Sequence, residues 1–201
     1  MRTNLGTFAS KGHSPTRCKR GRSLYKIADM DFRDLVMERY SVRQCDTTRE
    51  IPEEEMQLIL DAAVQAPTAC NNQPFRIYRI RSLEMRDRAE QWYNRAHFRT
   101  AREVLLIVGE DAAAYVYPDK QNNSLYTDTA IAIAYMQLQA EDLGIGSVWI
   151  NAFDRPLCAR DMGLEMGKET PVALLALGYP LPDAKQPTRK RKSMDDLVRT
   201  I

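Results

Sequence analysis

A chain of 201 residues, 44% hydrophobic and 28% charged, can bury a full core as one domain and is ordinary in composition for a globular protein. No apolar run approaches the roughly 18 residues that cross a bilayer, and the basic N-terminus lacks the apolar stretch of a secretory signal. The net charge of +2 conceals a basic arm, residues 1–29, with seven Lys or Arg against one Asp, on a mildly acidic body. Such an arm could meet nucleic acid, but no nucleic-acid motif accompanies it. The four cysteines, Cys18, Cys45, Cys70 and Cys158, have no CxxC spacing. They read as reduced thiols of a cytoplasmic protein. With only His13 and His97 as histidines, no metal cluster is expected.

Residues 1–29 carry no hydrophobic period and read as a flexible extension. Met30 opens an amphipathic pattern, which suggests a natural start there and a domain over 30–201. Phe32, Leu35, Val36 and Tyr40 recur at helical spacing. That helix ends in Arg39-Tyr40-Ser41-Val42-Arg43, which fits either a solvated helix end or an anion site. Residues 52–66 are the next helix, with Pro52 at its first position and three glutamates at the positive end of its dipole. Pro67 stops it. The turn from Ala66 to Phe75 is dense in amides and small residues, more than a connector needs. Phe75 to Ile80 alternates as a strand, and Ser82 to Arg95 reads as a polar helix.

Val104 to Val108 is a continuous apolar run, hence a strand buried on both faces. Residues 110–126 read as a long loop. Residues 127–143 are helical and apolar almost all round, which predicts burial on every side and points to a subunit interface. Gly146 to Ile150 is a strand that turns away at Asn151-Ala152-Phe153. Asp154 caps a short helix with Pro156 just inside. Val172 to Leu177 is the last core strand. A basic run, Arg189-Lys190-Arg191-Lys192, precedes a short amphipathic segment from Met194 to Val198. No dinucleotide fingerprint and no Walker sequence are present. Nor is there a catalytic Ser-His-Asp series. Cys70 with His97 as base is conceivable, but Cys70 reads better as a packing residue.

Four separated pieces occur in one order: Arg39-Tyr-Ser-Val-Arg43; Ala66-Pro-Thr-Ala-Cys-Asn-Asn-Gln-Pro-Phe75; Leu143-Gly-Ile-Gly-Ser-Val-Trp-Ile-Asn-Ala-Phe153; and Leu177-Gly-Tyr-Pro180 followed by Arg189-Lys-Arg191. In these the sequence resembles the FMN-dependent nitroreductase family, over about residues 30–201. The resemblance implies an α+β fold with three α/β/α layers and a central mixed, largely antiparallel sheet. It also implies a homodimer with an extended, intertwined interface and FMN between the subunits. Arg39, Tyr40 and Ser41 would meet the FMN phosphate, with Arg189 and Arg191 completing that site. Arg43 would approach the pyrimidine edge, with Asn94 on the same side. Pro67, Thr68, Ala69 and Asn71 would come from the second subunit. Trp149, Ile150, Asn151 and Ala152 would bring backbone N–H groups to the flavin N5 and O4 region.

The implied reaction passes a hydride from NADH or NADPH through flavin N5 to a nitroaromatic, quinone or similar electron-poor acceptor, by ping-pong kinetics. No catalytic side chain and no metal are needed, since the flavin carries the chemistry. A guanidinium beside N1 and O2 would stabilise the anionic reduced ring. Thr68 keeps the hydroxyl where Ser is frequent in the family, and Phe75 keeps an aromatic where Trp is frequent. Asn151-Ala152 departs from the commoner pattern and leaves the acceptor open. A flavin-binding or flavin-modifying protein without reductase activity is the alternative on the same fold.

Overall fold

The computed structural model describes residues 31–184 and 186–201. The basic arm, the start proposed at Met30, His13 and Cys18 lie outside them. In chain order the helices are α1 (Phe32–Glu38), α2 (Glu53–Val64), α3 (Leu83–Trp92), α4 (Ala96–Arg99), α5 (Leu125–Asp142), α6 (Arg155–Met162) and α7 (Met194–Leu197). The strands are β1 (Phe75–Arg79), β2 (Glu103–Glu110), β3 (Gly146–Ile150) and β4 (Glu169–Gly178). Local chemistry sets the helix starts. The Asp31, Ser82 and Asp154 carboxylate or hydroxyl oxygens accept from the peptide N–H three residues on, capping α1, α3 and α6. Pro52 occupies the cap position of α2, one residue before the place expected for it, and Glu53, Glu54 and Glu55 fill the first turn.

The strands form one sheet in the order β1-β2-β4-β3, every neighbour antiparallel. The mixed sheet expected from the sequence is corrected here: among the described residues, the parallel pairing is a lone bridge between Ser41 and Ser147. Alternate residues of β2 and β4 feed two cores. Leu105, Ile107, Leu175 and Leu177 pack with Met56 and Ile59 of α2 and with Ile133 and Met136 of α5. Val104, Leu106 and Leu174 pack with Trp92 of α3, Phe98 of α4 and Cys158 of α6 on the opposite face. Both faces of β2 are therefore covered, which is why it reads as an unbroken apolar run.

Three other expectations change. The α5 helix is not buried on all sides within its own chain, for Tyr126 and Tyr135 stand exposed on it. Its polar stripe is merely narrow, because alanines fill much of the half-covered face. The 110–126 loop holds a short 3-10 turn at Asp111–Ala113 and a bridge between Val116 and Asn123, and the helix begins at Leu125. The α4 helix falls in residues 96–103, to which the sequence pattern assigns no element. It is a single turn, too short to show a period. No helix among the described residues is long and apolar enough to cross a membrane.

Candidate functional site

Edge strand β3 is the platform to which most of the singled-out residues attach. At its start, Val42 N donates to Ser147 O at 3.1 Å, laying Ser41–Arg43 along the strand. The approach is close: a Cβ on Gly146 would come within 2.5 Å of the Val42 side chain, so only glycine fits. Ser147 is held from behind by Gln137 of α5, whose amide donates to its hydroxyl at 3.1 Å, both buried. Arg39, Tyr40 and Ser41 emerge half-buried at the end of α1. Residues Tyr40 to Gln44, with Ala184 and Pro187 of the C-terminal segment, enclose a cleft of about 200 Å³.

The cations around this cleft are not equally free. Arg189 donates to the carbonyls of Met37 and Arg39, satisfying the negative end of α1 rather than pointing two open donors outward. Arg191 is exposed and contacts Lys190 O at 3.3 Å. Arg39 faces Glu141 of α5, a carboxyl whose pKa is raised by burial and held back by Arg39 and then Arg189. Burial, then Glu141, also raises the Tyr40 phenol. Arg39, the Ser41 hydroxyl and the largely unengaged Arg191 are thus donors left for an anion, with Glu141 as the resident counter-charge.

At the other end of β3 lies a larger cleft of about 540 Å³, between Trp92–Arg95 and Asn151–Arg155. Its amides are oriented by their neighbours. Asn151 Oδ1 accepts from Trp149 Nε1 at 2.9 Å, and Asn94 Oδ1 accepts from Arg99 at 2.7 Å. Each amide oxygen is taken, so each NH₂ remains as a donor. The backbone N–H groups of Asn151 and Ala152 have no partner among the described residues. Ile150 is 4% exposed and serves the core, so it can reach this cleft only through its backbone. Sequence reasoning gave Tyr93 and Arg95 no role and weighed His97 only as a base for Cys70. Tyr93 and Arg95 line the cleft, and the Tyr93 hydroxyl lies 3.4 Å from His97 Nε2. Their signal, a tyrosine, an arginine and the body's one histidine within five residues, was present but fell at and just past the end of the segment read as a polar helix, Ser82 to Arg95.

The amide-rich turn has the most unusual backbone in the molecule. Cys70, Asn71 and Gln73 hold φ of 52°, 56° and 49°, the left-handed region that side chains rarely adopt. Neighbouring elements enforce it. Ala69 N donates to Asp128 Oδ1 at 3.0 Å, and Ser124 Oγ donates to the other oxygen of the same buried carboxylate at 2.7 Å. Thr68 Oγ1 accepts from Gln73 N at 3.0 Å, and Asn72 donates to Ala113 O at 3.0 Å. Strain so heavily braced is a mark of a working segment.

Within one chain these pieces do not meet. The turn leads into β1, one edge of the sheet, whereas Ser41–Arg43 and Asn151–Ala152 flank β3, the other edge. Three strand spacings, roughly 14 Å, separate the edges. The β3 edge alone offers a guanidinium, a hydroxyl, unpaired peptide N–H groups and oriented amide donors. That set fits a ligand with a phosphate at one end and a carbonyl-bearing heterocycle at the other.

The Nitroreductase family model matches residues 36–96 and 83–179. A Thermus thermophilus protein named NADH dehydrogenase is 29% identical over 181 residues, with 75% of this chain and 87% of that protein covered. Among solved structures, a nitroreductase family protein from Clostridium difficile superposes with TM-score 0.76 at 27% identity, covering 85% of this chain and 98% of the other. A protein from Exiguobacterium sibiricum, described as a nitroreductase in complex with FMN, gives TM-score 0.72 at 26% identity and covers 85% and 97%.

Proposed function

This chain belongs to the nitroreductase family, and on that footing we propose that it is an FMN-dependent oxidoreductase whose site is completed by a second copy of itself. When bound, FMN would supply the redox chemistry, accepting a hydride from NADH or NADPH and returning it to a nitroaromatic, quinone or similar acceptor. The chain's task is to hold and bias the cofactor. Arg39, Ser41 and Arg191 bind its phosphate by charge-assisted contacts. Arg43 sits toward the pyrimidine edge, where positive charge favours the anionic reduced ring. The amide NH₂ groups of Asn94 and Asn151 and the peptide N–H groups of Asn151 and Ala152 are donors for its carbonyl oxygens and N5.

The observation that carries this reading is the division of the donor set between opposite edges of the sheet. Pro67, Thr68, Ala69 and Asn71 cannot serve the β3 edge of their own chain, but they can serve that of a partner. Unburied apolar surface supports pairing. The α7 helix forms with a complete capping box between Ser193 and Asp196, yet leaves Met194 73% and Leu197 67% exposed, and Phe32 on α1 is 70% exposed. Apolar side chains on ordered helices without a core of their own mark an interaction surface.

Hybrid dimers test the composite site. One variant carries Arg39→Ala with Ser41→Ala, the other Thr68→Ala with Asn71→Ala, and each alone binds FMN poorly. Unfolding the two together and refolding the mixture restores one intact site per hybrid, so roughly a quarter of all sites recover FMN on statistical pairing. Zero recovery from correctly refolded hybrids contradicts the shared site.

A further inference from the structure

Arg95 is a guanidinium to which the cofactor reading assigns no task. It stands exposed between α3 and α4 and lines the larger cleft beside Asn94, opposite Asn151 and Ala152. Its peptide N–H donates to Tyr93 O at 3.0 Å. Its side chain makes no ion pair or hydrogen bond among the described residues, in contrast with its neighbours. Arg88 pairs with Glu84, Arg99 with Glu90 and Arg160 with Asp161. Arg155, on the opposite wall, donates to the carbonyls of Pro171 and Val172.

Arg43 is the second poorly satisfied guanidinium, with one long contact of 3.4 Å to Ser41 O. Both bear on the same imidazole. The pKa of His97 is lowered first by burial, then by Arg43 and by Arg95. His97 itself therefore adds no third charge at neutral pH. The carboxylate lining this cleft, Asp154, is turned to cap α6 and accepts from Leu157 N at 2.9 Å.

We propose that Arg95 is an anion-recognising contact at the mouth of the cleft, so that one of the two redox substrates presents a carboxylate or phosphate there. The anion is either a carboxylate on the electron acceptor or the 2′-phosphate of NADPH. This rests on the reading of the cleft as the place where redox substrates reach bound FMN. The planar guanidinium fork matches either group in a bidentate contact. Because the side chain is exposed, the contact is screened by salt and discriminates by roughly tenfold rather than by orders of magnitude.

The test compares two ratios of kcat/KM on FMN-loaded protein, at low and at high salt: 4-nitrobenzoate over its methyl ester, and NADPH over NADH. One ratio should favour the charged partner roughly tenfold at low salt, shrink at high salt and approach unity in Arg95→Gln. Arg95→Lys should restore part of it, and the change should sit in KM rather than kcat. Movement of the first ratio assigns the anion to the acceptor, and movement of the second assigns it to the dinucleotide. Two ratios near unity, or a preference that Arg95→Gln leaves intact, overturn the proposal. Titration of the same protein with benzoate and with 2′-AMP, followed by the NMR signals of His97, reads the contact without turnover. A saturable shift that Arg95→Gln weakens about tenfold supports it; no shift with either anion overturns it. A protein that binds an anion at Arg95 yet oxidises neither NADH nor NADPH would instead contradict the oxidoreductase reading alone.

Discussion

At the scale of single residues, the site is a matter of which donors remain free. Three cations, Arg39, Arg189 and Arg191, were expected at the phosphate, but Arg189 is occupied by the carbonyls at the end of α1. On the proposed reading, the contact to the FMN phosphate then falls on Arg39, Ser41 and Arg191. Arg39→Ala should raise the FMN dissociation constant by about ten- to a hundredfold, the worth of one charge-assisted contact, as read by quenching of flavin fluorescence. Arg189→Ala should act differently, lowering thermal stability by loosening the α1 end together with any loss of affinity. Equal affinity for wild type and Arg39→Ala would remove the phosphate assignment. Residue chemistry made Arg39 and Ser41 legible as a candidate anion site, and the family resemblance added Asn94 and Asn151. Their freedom was not legible, because it depends on partners far along the chain: Trp149 holds Asn151 and Arg99 holds Asn94, whereas Gln137 of α5 fixes Ser147 beneath Ser41.

At the scale of elements, the turn between α2 and β1 is a small machine for holding three side-chain-bearing residues in a glycine-like conformation. Its brace is Asp128, 2% exposed in the first turn of α5, which accepts from Ala69 N and from the Ser124 hydroxyl. Asp128→Ala strands both donors. It should cost about 2–3 kcal/mol in urea unfolding and weaken FMN binding although Asp128 is not among the groups placed at the cofactor. A loss of stability with unchanged FMN affinity would mean that the turn does not serve the site. The sequence showed this turn as a dense cluster of amides but not its left-handed backbone at Cys70 and Gln73, which is braced partly by Thr68 within the turn and partly by Asp128 and Ala113 far along the chain. The capped helices were read closely because caps are local: Asp154 and its α6 helix fall where expected. Within one chain α5 leaves Tyr126 and Tyr135 exposed, and the burial on every side expected of it concerns a subunit interface that a single chain does not contain.

At the scale of the whole molecule, sheet order decides what one chain can do. Order β1-β2-β4-β3 sets the turn and the β3 donors at opposite edges, and no reading of strand patterns supplies that order, because pairing is non-local. The resemblance supplied the family and with it a shared site. The sheet order supplies a physical reason for proposing such a site. The exposed apolar residues of α1 and α7 and the free donors of β3 then belong to one account, in which two chains complete what each leaves open. The most direct test of that account is anaerobic titration of the FMN-loaded protein with NADH and with NADPH, followed at the flavin absorption band. The account predicts stoichiometric bleaching by at least one of the two nucleotides and return of the yellow colour on adding a nitroaromatic or quinone. A protein that takes up no FMN, or whose bound FMN keeps its colour with both nucleotides, would contradict it.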